Sequence, residues 1–212
     1  MPNFLVRFML ITLVALPVHG EWVDLLKNGL DDWEIIGDGQ WSIMGGGVLL
    51  GDRKPGESKE QAWIYTRKNY GEFDLRLEFW TRLGGNSGVS IRDLTRAKYA
   101  VPPNWDRERT PSHNGYEIQI SNGYADKYPT GSIYLFAQAG GGVQKPLDWN
   151  LLEIESRNEM IRVRLNGKLV CEHPGDPARS KTGPIGLQLH DPNSVAMFRH
   201  IALREISPRG GR

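Results

Sequence analysis

Apolar and polar residues alternate along most of this chain. The stretch "FDLRLEFW" places Phe73, Leu75, Leu77 and Phe79 on one face and Asp74, Arg76 and Glu78 on the other. That period of two is the signature of a half-buried strand. "MIRVRLNGKLVCEH" repeats it through Ile161, Val163 and Leu165, and its Asn166-Gly167 pair predicts a two-residue hairpin. "QWSIMGGGVLLG" predicts two short strands turning at Gly45 to Gly47. Almost no window carries a 3.6-residue period, and Gly, Asn, Asp and Pro separate the alternating segments. The pattern predicts an all-β fold of two antiparallel sheets, a sandwich or jelly roll, in preference to βαβ units.

Three of the predicted strands carry a chemically useful polar side. In "HNGYEIQI", Tyr116, Ile118 and Ile120 alternate with Glu117 and Gln119, with His113 just ahead of the strand. In "GNSGVSIR", Val89 and Ile91 alternate with Ser90 and Arg92; in "GPIGLQLH", Ile185, Leu187 and Leu189 alternate with Gly186, Gln188 and His190. If the three share a sheet, burying their apolar sides points Arg92, Glu117, Gln119, Gln188 and His190 onto one outward face. Gly85, Ser87, Gly88 and Gly186 would then let a ligand approach the backbone. The plain alternative is a wet sheet face on which Arg92 and Glu117 form a surface ion pair worth roughly 0–1 kcal/mol. One long segment, Arg92 to Gly115, has neither period and holds Tyr99 and Trp105. Loops of that length are functional or disordered. Its aromatic rings either frame a sugar site or pin the loop to the core.

Composition narrows the choices. The chain has 212 residues, a formal net charge of +1 from 26 basic and 25 acidic residues, and 39% hydrophobic residues. One domain accounts for that length, and near-neutrality leaves no long-range field to attract nucleic acid or an anionic membrane. Arg7 followed by an apolar run from Phe8 to Val18 reads as a signal peptide over 1–20, with cleavage before Glu21. The expected organisation is therefore signal peptide 1–20, one β-sandwich domain 21–207 and a flexible tail 208–212, in a secreted or periplasmic protein. No membrane contact is expected beyond the signal sequence. The single Cys171 excludes an intrachain disulfide and a multi-thiolate zinc site. A phosphate-cradling glycine loop, a G-x-S-x-G elbow and an H-E-x-x-H pair are all missing.

In order along the chain, "LLKNGLDDWE", "GNSGVSIR", "GYEIQI", "GSIY", Trp149-Asn150 with Glu153, "IRVRLNGKLV", "GPIGLQLHD" and "FRHIALREI" resemble the 3-keto-disaccharide hydrolase family. The resemblance implies a concanavalin A-like jelly roll of the lectin and glucanase type. It also implies cleavage of glycosides whose C3 hydroxyl a separate sugar 3-dehydrogenase has oxidised, by hydrolysis or elimination. A C3 ketone acidifies the C2 hydrogen, so a base removes it and the C1 substituent leaves. Such a site needs one base and an enolate stabiliser instead of two carboxyls flanking an anomeric carbon.

On the shared face and this resemblance, Glu117 or His190 is the base, Arg92 the electrostatic stabiliser, and Gln119 and Gln188 orient hydroxyls. Ser90, Tyr99, Trp105 and His113 are further substrate contacts. No cofactor is required, although the resemblance allows a divalent metal on Glu117 and His190. Ser121-Asn122 and His190-Asp191 depart from the family pattern; Asp191 either supplies a carboxylate or starts the turn with Pro192. The competing readings are a non-catalytic carbohydrate-binding module and a cell-surface structural domain.

Overall fold

Alternation becomes two packed antiparallel sheets. The structure, a computed structural model, describes residues 18–53, 59–123 and 127–207. Most of the expected signal peptide and the whole 208–212 tail lie outside the described residues. The larger sheet contains β4 (Gln40–Met44), β5 (Val48–Asp52), β7 (Phe73–Thr81), β10 (Asn150–Arg157), β11 (Met160–Leu165), β12 (Lys168–His173) and β14 (Val195–Ser207). Their spatial order is β12-β11-β10-β7-β14-β5-β4, and the short β1 (Val18–His19) and β2 (Val23–Asp24) pair along β14. The smaller sheet runs β3 (Trp33–Ile36), β6 (Ala62–Thr66), β13 (Ile185–Leu189), β8 (Asn86–Ile91) and β9 (Tyr116–Ser121). Hairpin neighbours such as β4–β5, β8–β9 and β10–β11–β12 alternate with long crossovers such as β7–β14 and β6–β13, as a jelly roll requires.

The inward residues are those the alternation selects. Phe73, Leu75, Leu77 and Phe79 are at most 1% exposed, and Val89, Ile91, Tyr116, Ile118, Ile120, Ile185, Leu187 and Leu189 are fully buried opposite them. Each such side chain contributes about 1.5–3 kcal/mol through burial. Asn166 and Gly167 take φ of 50° and 80°, joining β11 to β12. That left-handed pair is what a type I′ turn demands and why Asn-Gly marks it.

The smaller sheet departs from simple alternation on its outer side. All five residues of β6 are buried, because Trp63 and Tyr65, stacked with ring centroids 5.6 Å apart, are covered by Ala97 and Ala100. The long aperiodic segment is therefore a roof over this sheet. It holds a 3-10 turn at Arg107–Arg109 and a one-turn helix, α1 (Pro111–Asn114). Asp93 ties it down: its carboxylate accepts from Thr95 N (2.9 Å), Thr95 Oγ1 (2.6 Å), Ala97 N (2.8 Å) and the Tyr65 hydroxyl (3.2 Å). A sheet face expected to be wet is thereby partly withdrawn from water.

Candidate functional site

The three strands with polar sides do lie together. β13 pairs with β8 and β8 with β9, with Gly186 opposite Ser90, Ser90 opposite Glu117, and Gly88 opposite Gln119. Glu117 is 4% and Gln119 6% exposed. Both line a cavity of about 400 Å³, together with Asn86 and His190 from the sheet, Trp105 and His113 from the roof, and Tyr134 and Leu135 beyond β9. Gln119 is oriented by donating from Nε2 to Asn86 Oδ1 at 3.0 Å. His113 Nδ1 lies 2.9 Å from Thr110 Oγ1.

Gly88 gives the carboxyl its seat. A Cβ at Gly88 would stand 2.7 Å from Glu117 Oε1 and 3.0 Å from its Cγ, so the Glu117 side chain occupies the space a larger residue would fill. The room expected there for a ligand is taken by the site residue itself. At Gly186 the vacancy is filled by the Tyr65 ring, 2.4 Å from a notional Cβ. Ser87 points inward and donates to the Gln188 carbonyl at 2.7 Å.

The electrostatics follow from this partial burial. Desolvation pushes the Glu117 carboxyl up to about 7, against the opposing charge of His190 and the nearby Gln188 amide. His190 moves upward too: burial lowers it, but the Asp191 hydrogen bond and charge, with the charge of Glu117, outweigh that. His190 Nδ1 is 2.9 Å from Asp191 Oδ1, and the hydrogen bond from His190 holds the Asp191 carboxyl below its usual range. A buried carboxyl that titrates near neutrality thus shares a cavity with an imidazole biased towards its cationic form. That pair can accept a proton and stabilise a developing negative charge.

Other expected site residues are placed elsewhere. Arg92 does not face Glu117. It has φ of 60°, which breaks the strand's alternation directly after Ile91. Its guanidinium instead donates to Ser156 Oγ (2.8 Å), Asn158 O (2.9 Å) and Glu159 O (3.3 Å) on the β10–β11 hairpin of the opposite sheet. It is a bridge between sheets. Ser90 is fully buried and its hydroxyl has no hydrogen-bond partner, although it lies near enough to Tyr65 to affect that phenol's ionisation. Gln188 is fully buried as well. Tyr99 sits beneath the Arg109 guanidinium, 3.4 Å from the ring centroid, and lies outside the cavity lining. Of the two readings for the roof aromatics, Trp105 lines the cavity and Tyr99 braces the loop.

Sequence reasoning missed the roles of Asn86, which steers Gln119, and of Asp93 with Tyr65, which hold the roof. The only available signal for Asn86 was its place at the head of "GNSGVSIR". Among the described residues no three His, Cys, Asp or Glu side chains group as a metal shell. A larger cavity of about 490 Å³ lies beside β2 and β14. Its charged side chains include the Lys68–Glu205 ion pair, and none of its lining residues carries an unpartnered buried polar atom. The paired carboxyl and imidazole with shifted ionisation lie in the Glu117 cavity instead.

Fold and site together define a two-sheet jelly roll of the lectin and galectin type, with an acid–imidazole cavity on its smaller sheet. The chain belongs to the family of 3-keto-alpha-glucoside-1,2-lyase-like domains, whose model matches residues 21–204. A structure from Parabacteroides distasonis ATCC 8503, described as a candidate glycosyl hydrolase, superposes with a TM-score of 0.67 at 28% identity, covering 87% of this chain and 99% of that one. A Bacillus subtilis protein of unknown function with a galectin-like fold gives 0.64 at 14% identity, covering 92% and 100%. The carbohydrate-binding module CBM66 from Bacillus subtilis gives 0.56 at 14%, covering 82% and 96%. The last two likenesses speak to fold alone. No curated protein matches the sequence. The family and its glycosyl hydrolase-like neighbours support a carbohydrate-related role.

Proposed function

We propose that this protein cleaves 3-keto-glycosides by elimination across C1 and C2, followed by addition of water. Glu117 as carboxylate takes the C2 proton; the C2–H electrons pass into the enolate of the C3 ketone. The enolate then re-forms the ketone as the C1–O bond breaks, giving a C1=C2 alkene and an alkoxide that leaves as the alcohol with the proton Glu117 took from C2, which returns Glu117 to its carboxylate form. Water adding across C1 and C2 yields the free 3-keto sugar. The His190 imidazolium, held by Asp191, takes the stabilising role expected of Arg92, whose guanidinium is committed to the opposite sheet. Gln119 and Trp105 supply sugar contacts.

The observation that carries this reading is the Glu117 carboxyl in a cavity wall, 4% exposed and tuned to about 7 beside His190. A base matched to neutral pH is what abstraction of a carbon acid requires. Such a substrate must come from an oxidoreductase that oxidises the C3 hydroxyl, and the apolar N-terminal segment supports action in the periplasm or outside the cell. The test is product analysis with a 3-keto-disaccharide, with and without chelator. We expect free sugar or an enone product, insensitive to chelator, and a loss of about 10²–10⁴-fold in turnover for Glu117→Gln. Full turnover in Glu117→Gln refutes the assignment; binding of unoxidised glycan without any product makes the domain a binding module.

A further inference from the structure

Gln188 was expected among the hydroxyl-orienting groups, yet it is fully buried and does not line the cavity. The register explains its position. Leu187 pairs with Val89, so the next residue, Gln188, comes opposite Gly88, over which the Glu117 side chain lies. Both Oε1 and Nε2 are buried with no partner of hydrogen-bond geometry, while the amide is near enough to Glu117 to favour its ionised form. An unpaired buried amide costs about 1–3 kcal/mol, so its presence in a sheet calls for a reason. An amide can accept from a carboxylic acid and donate to a carboxylate, which no hydrocarbon side chain can do.

We propose that Gln188 is a positioning residue that holds the Glu117 carboxyl over Gly88 and complements both of its protonation states without touching substrate. The inference rests on the reading of Glu117 as the proton-transferring group. The other ionisable groups facing Glu117 are His190 with Asp191 at the end of β13, Tyr65 with Asp93 beneath the roof, and Arg107, Glu108, His113 and Tyr134 around the cavity; Arg53 acts on His190. None of these changes when Gln188 is replaced.

The experiment uses Gln188→Leu, with Gln188→Met as a second variant should the first fail to fold. Without substrate, the Glu117 carboxyl is titrated by carbon-13 NMR against Glu117→Gln as the assignment control. Because the amide favours the carboxylate, its loss is expected to weaken ionisation by about tenfold, towards higher pH. With a 3-keto-glycoside, the acid limb of kcat/KM moves to higher pH by the same factor while KM above that limb stays within about twofold. An unmoved titration overturns the inference, as does a KM raised roughly tenfold with an unmoved limb, the mark of a hydroxyl-binding role. A moved titration in a protein that turns over no 3-keto-glycoside upholds the role of Gln188 and rejects the proposed activity.

Discussion

Gly88→Ala separates the seat of the carboxyl from the stability of the sheet. The added methyl carbon would lie 2.7 Å from Glu117 Oε1, 3.0 Å from Cγ and 3.2 Å from Cδ. Every one of these atoms belongs to the same side chain, so relief comes from moving Glu117 and leaves the backbone in place. A retreat on the order of 1 Å is a misplacement that costs about 10²-fold in rate. Stability changes less: crowding costs about 1–3 kcal/mol, and replacing glycine where no positive φ is needed returns about 0.4–1 kcal/mol. The expected result is kcat/KM on a 3-keto-glycoside down about 100-fold, with Tm lower by only a few degrees, at about 2–4 °C per kcal/mol for a chain of this size. Gly186→Ala is the control. Its methyl would lie 2.4 Å from Cε1 and 2.5 Å from Cζ of the buried Tyr65 ring, which cannot swing away, so Tm falls further and activity per folded molecule falls less. Near-wild-type turnover in Gly88→Ala would show that the position of Glu117 does not matter and would sink the assignment.

Three further outcomes follow from the same geometry. The pH profile of kcat/KM is expected to rise through an apparent value near 7 as Glu117 ionises and to fall as His190, raised above its ordinary 6.5, loses its proton; a flat profile over about pH 6 to 8 contradicts this. For stability, Glu117 binds its proton more tightly folded than unfolded, so its contribution is complete below its ordinary 4.5 and is lost as pH rises through about 7. That loss totals about 3 kcal/mol at roughly 1.4 kcal/mol per tenfold, so in urea melts Glu117→Gln should gain on the wild type between about pH 4 and pH 8, and an equal margin at both ends is the contrary result. Arg92→Ala should cost about 3 kcal/mol by stranding Ser156 and the 158–159 carbonyls, with kcat/KM per folded molecule little changed, whereas a specific loss of turnover in a stable variant would return Arg92 to the site.

The inner faces were legible because a period of two with one buried side leaves no choice of register. "FDLRLEFW", "GYEIQI" and "GPIGLQLH" each sent their apolar residues where alternation required, and Asn166-Gly167 made its turn. Arg92 was misplaced because alternation holds only while φ stays extended, and its φ of 60° turns it onto Ser156. Gln188 was misplaced for a different reason, since alternation names a face without saying what covers it. Ala97 and Ala100, distant in sequence from β6, cover Trp63 and Tyr65, and nothing in the aperiodic roof advertises that contact.

By itself, then, the sequence determined the jelly roll, its strand faces, the family, and the nomination of Glu117 and His190, because all of these rest on local alternation and ordered motifs. Tertiary structure alone decided that Glu117 lies over Gly88 beside a buried amide, that His190 is poised by Asp191, and that Arg92 serves the opposite sheet. The physical reason is that ionisation and reach depend on burial and on through-space neighbours. Those are set by which loop roofs the sheet, a relation between segments that no local pattern carries.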